Sequence, residues 1–461
     1  MRVSLPLITL SLLLLTSSNP THSVSAGNAT RPASREPAAL YDPNPNHFWN
    51  QLFDVLFTRN DRYGHKYGKD ALDPILFGNT KHLLEGESHR EALRVLDEFL
   101  QTHAKKQIHE PLKRAMLERD LWAVFDWSAA REPERPTDAT FDQEKRELQV
   151  RLAEAMRRLA LTPEQIKALP DNYAQAVVSR TFASDYDPEH RERAFLPPDL
   201  FDRHGPWVEI GAGGEYESPT GPAIQHTLAV SGRSSFSIFI RLPEGRKAAF
   251  AYFRQLWNFP EPWIVDASAP QQVQINPNLP SFPAGTEVAL VRQMMLFDAQ
   301  GKLATTPIVE SVQIRVYHTV TANQQQAFGF DQMIARSGQD FYEFRLSRPL
   351  LFAGEHGGLR AVARDEKDLP IFGVQADDRF ENPPYRVELT RSPAVLQECV
   401  MCHHEPGIAS LNSRRNLVKP SYLEQFIDYD PPNRWWDNDG TIYFKKDRFD
   451  WGLLNGYWNT R

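Results

Sequence analysis

Two hydrophobic periods divide this sequence, and the change from one to the other constrains the fold before any motif is considered. In the first part apolar residues return every three or four positions: Phe48, Trp49, Leu52, Phe53 and Leu56, then Leu93, Leu96, Phe99 and Leu100, then Leu148, Leu152, Met156 and Leu159. That spacing collects them on one side of a helix. Start signals agree with it. Asn46 is placed to cap the first helix, Pro111 suits a helix first turn, and Thr162-Pro163-Glu164-Gln165 reads as a capping box with proline at its first position. Past about residue 205 strict alternation takes over, in Phe236, Ile238 and Ile240, in Val288, Leu290, Met294 and Leu296, and in Val312, Ile314, Val316, His318 and Val320. Asp298-Ala299-Gln300-Gly301 closes the second run as a hairpin-type turn, and Ala249, Phe250, Phe253, Leu256 and Trp257 interrupt the strands with a helical repeat.

The expected fold is therefore α+β. It comprises an all-helical N-terminal domain over 46–182, an irregular linker over 183–204, and an antiparallel β-rich middle domain over 205–390, arranged as a sandwich or barrel with one helix. A short C-terminal segment, 391–461, ends in an aromatic tail from Trp435 to Trp458, expected to pack against the β-rich domain.

The N-terminus and the charge balance narrow the setting. Arg2 precedes an apolar run from Leu5 to Leu15, and a polar stretch ends in Val24-Ser25-Ala26. This pattern predicts a signal peptide over 1–26, cleaved near Ala26, and hence a periplasmic or secreted protein. The apolar core is too short for a permanent anchor, and no later stretch predicts an integral membrane span. Residues 27–45, small, polar and rich in proline, read as a flexible leader. A hydrophobic content of 41% with 24% charged residues is that of a globular chain, and a formal net charge of −7 without a Lys/Arg block argues against a nucleic-acid partner. No nucleophile triad, HExxH or phosphate loop is present, so no catalytic residue is assigned.

Only two cysteines occur, Cys399 and Cys402, within Glu398-Cys399-Val400-Met401-Cys402-His403-His404. No disulfide framework can hold such a chain together; its core must. Two random cysteines would fall in a C-x-x-C-H arrangement in about one chain in ten thousand. The readings of the residues are a local disulfide, a thiol redox pair, half of a zinc site, or a haem-attachment site. A thiol pair is expected beside a βαβ pattern, which is absent, and a zinc site would crowd Cys399, Cys402, His403 and His404 together.

The segment resembles the attachment motif of the c-type cytochromes, and the resemblance covers this motif and little else. It implies a covalently bound haem c, thioether bonds from Cys399 and Cys402, and His403 as proximal iron ligand. It also implies single-electron transfer to a redox partner protein and attachment outside the cytoplasmic membrane, which matches the export signal. The motif is expected on a short helix from Ala394 to Met401.

One departure from that family is plain. Downstream of the motif there is no methionine, and no histidine beyond His404, whose position next to His403 turns it away from the iron. The distal ligand is left open. The candidates are His318 and His356, with Met294, Met295 and Met333, in the β-rich domain, or His65, His82 and His89 among the helices. A five-coordinate iron would instead suit a peroxidase-like enzyme, and a bare disulfide would suit a secreted binding protein. Arg414 and Arg415 are placed to pair haem propionates.

Overall fold

The helix-period stretches form helices α1 (Phe48–Phe57), α2 (Gly86–Gln101), α3 (Pro111–Ala129), α4 (Ala139–Leu159), α5 (Pro163–Lys167) and α6 (Asn172–Ser179). The computed structural model describes residues 40–60, 66–67, 83–84, 86–103, 106–129, 139–210, 226–227, 232–261, 263–266, 269–320, 333, 337–363, 369–370, 391–392, 400, 403–411 and 439–460. The cap of α1 is His47 rather than Asn46: the His47 side chain accepts the Trp49 N–H at 3.3 Å, while Asn46 offers its carbonyl to Gln51. At α5 the capping box forms as the sequence implies, with Thr162 and Gln165 exchanging side-chain-to-backbone bonds.

Helix α3 is buried on nearly every side. Such a helix normally carries no charge, yet this one carries five buried charged residues, and each has a partner: Arg114 donates to the Leu159 and Ala160 carbonyls at 2.8 Å, and the other four reach further. Glu118 accepts the Phe297 N–H, Arg119 meets Glu310 at 3.1 Å, Asp120 meets Arg348 at 2.6 Å, and Asp126 meets Arg233 at 3.0 Å. Paired this way, buried charges fix which neighbours the helix accepts.

The alternating stretches form one six-stranded antiparallel sheet from β3 (Val208–Ile210), β4 (Ser234–Arg241), β7 (Thr286–Phe297), β8 (Leu303–Tyr317), β9 (Gln339–Leu346) and β10 (Leu359–Ala361), in the order β10-β9-β8-β7-β4-β3. Three two-stranded ladders lie outside it: β1 (Arg59–Asn60) with β2 (Lys66–Tyr67), β5 (Trp263–Asp266) with β6 (Ala269–Ile275), and β11 (Leu369–Pro370) with β12 (Arg391–Ser392). The register pairs Ile240 with Val288, Thr286 with Tyr317, and Tyr317 with Gln339, so these side chains share a face. Among the described residues this is a single open sheet rather than a sandwich or barrel. Alternation reports which residues share a face, but not what covers either face.

Two different layers do the covering. One face, with Val291, Val312, Ile314 and Phe344, packs under α6 and the chain that follows it, including Phe195, Leu200 and Trp207. The stretch expected as a linker is thus a layer of the core; its prolines break helix and strand without removing its apolar residues. The opposite face, with Ile238, Ile240, Val288 and Tyr317, packs under α7 (Arg246–Trp257) and the short helix α9 (Ile408–Leu411). Between β9 and β10 lie α8 (Arg348–Ala353) and a turn of 3-10 helix, His356–Gly358.

The described part of the aromatic tail folds as two helices, α10 (Asp439–Lys446) and α11 (Phe449–Asn459); Trp435 and Trp436 lie outside the described residues. Trp451 and Trp458 stack on Phe297 at the end of β7, with centroids 4.7 and 5.1 Å away, and Tyr457 meets Phe125 of α3 edge-on. The tail therefore covers the helical core and also reaches the sheet expected to receive it, at the end of β7 and at β4. Residues 36–461 form one compact unit. No helix among the described residues is long and apolar enough to cross a membrane. The expected signal peptide and the expected leader as far as residue 39 lie outside the described residues, but the end of that leader is not flexible: Tyr41 is fully buried in the helical core, its hydroxyl bonds Asp120 and its N–H donates to Asn50 Oδ1 at 2.7 Å.

Candidate functional site

The segment after the second cysteine is held on the α7 face of the sheet by three anchors. The first is Gln339 at the start of β9, whose Nε2 donates to the carbonyls of His403 and Glu405 at 2.9 and 3.0 Å. The second is Gly407, which adopts φ +51, and a Cβ there would lie 2.2 Å from Ser281 Oγ and 3.3 Å from Val320 Cβ. Only glycine combines that conformation with that approach. The third is Ser410, fully buried, whose hydroxyl meets Tyr317 OH and donates to the Gly407 carbonyl at 2.9 Å. Burial drives the Tyr317 phenol up from its ordinary value, with Arg315 opposing, so it stays a neutral hydrogen-bonding group.

These anchors set the chemistry of His403. Its Nδ1 lies 2.6 Å from the Ser410 main-chain carbonyl. A carbonyl can only accept, so Nδ1 carries the proton, and in the neutral ring the lone pair belongs to Nε2. That arrangement orients a metal-binding imidazole and raises its basicity. The neighbouring His404 is turned differently, with Nδ1 on the Val400 carbonyl at 3.0 Å and Nε2 3.6 Å from Glu405. Val400, inside the motif, is fully buried against Phe341, with Met333 alongside. Cys399, Met401 and Cys402 lie outside the described residues, as do Arg414, Arg415, His65, His82 and the proposed helix up to Val400.

A second imidazole comes to His403 from far upstream. The His226 ring centroid lies 6.3 Å from that of His403, with the two planes within 19°. Phe236 of β4 flanks the His226 ring at 5.6 Å. The adjoining Thr227 is fully buried, and its carbonyl accepts the Gly232 N–H at 3.0 Å just before β4 begins. Sequence reasoning missed His226. It lies in no motif, and its spacing from the cysteines has no meaning until the sheet folds.

The histidines singled out from the sequence go elsewhere. His318 accepts from Arg191 Nη2 at 2.8 Å, and Arg191 in turn meets Asp340 at 2.5 Å. Asp340 neighbours Gln339 on the strand, so this group faces the opposite side of the sheet from Tyr317 and Gln339. Burial and the adjacent Arg191 both push His318 below the usual histidine value, which keeps it a neutral acceptor. His356 bonds Thr181 Oγ1 through Nδ1 at 2.6 Å, beside α6 in the layer covering that same opposite face. His89 is buried among the helices on the Leu83 carbonyl. Met294 and Met295 are fully buried in the helical core, whereas Met333 packs against the cluster that Phe341 forms with Val400 of the motif.

Among the described residues no three His, Cys, Asp or Glu side chains cluster as a metal site. A second polar cluster is structural in character. Lys445, fully buried, contacts Asp126 at 2.7 Å and Asp450 at 3.0 Å, with Arg233 sharing Asp126. Its charges are matched, and it lies where α3, α10 and α11 meet.

No protein-family model, curated protein or solved structure matches this chain.

Proposed function

We propose that this chain is an exported mono-haem c-type protein that passes single electrons to and from a redox partner protein. In this reading Cys399 and Cys402 hold the haem by thioether bonds and His403 binds the iron. The observation that carries the reading is the His403 Nδ1 bond to the Ser410 carbonyl, because it prepares Nε2, in a C-x-x-C-H motif, as a metal ligand. The donor set fits the group: one imidazole with a fixed tautomer directly follows the only two thiols in the sequence. Bound there, a haem supplies a one-electron iron couple.

The chain's own residues do the rest. Gln339 and Gly407 fix the backbone on either side of His404, so the His403 ring cannot swing away. Val400 and Phe341 shield the motif from water on the side facing β9. Reduced access of water and the hydrogen bond on Nδ1 are levers by which a protein sets an iron potential. The periplasmic or secreted location rests on the N-terminal pattern from Arg2 to Ala26.

The test is a spectrum. The full chain, exported in a bacterium with a c-type maturation system, is denatured and reduced in pyridine. Haem that stays with the polypeptide, and is lost in Cys399→Ser with Cys402→Ser, is the expected result. Polypeptide without haem, or haem that extracts into acidified organic solvent, overturns the reading.

A further inference from the structure

We propose that His226 is the second axial ligand of the iron, opposite His403, so that the centre is bis-histidine; this rests on the haem reading above. The pair geometry is the ground. Two metal–nitrogen bonds of about 2 Å, plus two five-membered rings of about 1.15 Å radius built from bonds near 1.33 Å, put the centroids of two trans imidazoles about 6.3 Å apart. The observed separation is 6.3 Å, with near-parallel planes.

Centroid distance by itself also falls within the ordinary range of ring pairs. The surroundings support the ligand pair. His403 has its Nδ1 proton committed to Ser410, so its metal-binding atom is Nε2. His226 is held by the buried Thr227 and its bond to Gly232, and by Phe236 beside the ring, so its position is set by the sheet. A ligand that must lie opposite a C-terminal histidine is thereby supplied from the threshold of β4, without any movement of the sheet.

The other described candidates are engaged elsewhere. His318 accepts from Arg191 on the far face, and His356 is bonded to Thr181. Met294 and Met295 belong to the helical core. Met333 packs against the cluster that Phe341 forms with Val400 of the motif, and is the remaining rival.

Two imidazoles make a six-coordinate, low-spin iron with no open position. That chemistry suits electron transfer and leaves no place for peroxide, and its potential lies below that of a histidine–methionine pair. The substrate class of the site is then the electron alone.

The experiment uses the full exported chain. Covalent haem is first measured after denaturation, which tests the underlying reading independently of His226. The native oxidised protein is then expected to be low-spin, with the rhombic electron paramagnetic resonance signal of near-parallel imidazole planes and no methionine–iron charge-transfer band. His226→Ala should retain covalent haem but lose the low-spin signal, and added imidazole should restore it. His226→Met should gain the methionine band and shift the potential upward. A high-spin native protein, a methionine band in the native protein, or an unchanged low-spin signal in His226→Ala each overturns the proposal. Should His226→Ala not fold, the native spectrum and His226→Met still decide it. His318→Ala and His356→Ala should leave the spectrum unchanged.

Discussion

A main-chain carbonyl determines what His403 can do, and a single glycine determines where that carbonyl lies. Gly407 combines a positive φ with close contact to Ser281, and Ser410 follows one turn later. Gly407→Ala is expected to destabilise the protein by about 1–3 kcal/mol. Urea midpoints should fall with an unchanged slope, and Ser281→Gly in the same chain should recover the steric part while losing the bond that Ser281 Oγ accepts from the Ile408 N–H at 3.3 Å. Glu310 gives a residue-scale test of charge. Burial pushes its carboxyl up, but Arg119 and Arg292 outweigh that effect and hold it at about 2. A carboxylate held below its ordinary value contributes stability above about pH 4.5 and loses it as pH falls toward 2. The contribution is about 3 kcal/mol. Urea midpoints measured from about pH 6 to about pH 3 should therefore fall steeply in the native protein and less steeply in Glu310→Gln.

At the scale of elements, what was legible in the sequence depended on whether the signal was local. The capping box of α5 forms between residues three apart, so its sequence determines its geometry. Thr162→Ala should lower stability by about 1 kcal/mol, read as a shift of the thermal midpoint. Helices α1, α2 and α4 and strands β4, β7 and β8 were legible by period for the same reason, whereas α3, buried on nearly every side, was marked only by Pro111 at its first turn. What lies over each face was not. The stretch 183–204 reads as a linker because prolines mask its period, although Phe195 and Leu200 cover the sheet. Nor did the sequence show what the aromatic tail covers: Trp451 and Trp458, seven apart, share the side of α11 that stacks on Phe297, while Tyr457 turns to Phe125. The site divides in the same way. His403 is marked by the two cysteines beside it, whereas Gln339, Ser410 and His226 meet it only through strand register and docking.

For the whole molecule, one strand joins what period alone divides into two domains. The end of β7, Met294 to Phe297, lies in the helical core, while Val291 and Ala289 of the same strand lie under α6. Helices and sheet are therefore expected to melt in one calorimetric transition, with calorimetric and van't Hoff enthalpies in agreement; two separated transitions would contradict this shared strand. Lys445→Met should destabilise that transition by about 3–5 kcal/mol, because Asp450 would be left buried beside Asp126 without its ammonium partner. The Lys445–Asp126 pair also joins residues 319 apart in the chain. During synthesis, Trp122 and Phe297 emerge long before α10 and α11 arrive to cover them. That apolar surface stays uncovered until these last helices are made, so the core around Trp122 and Phe297 is completed only with them rather than piece by piece.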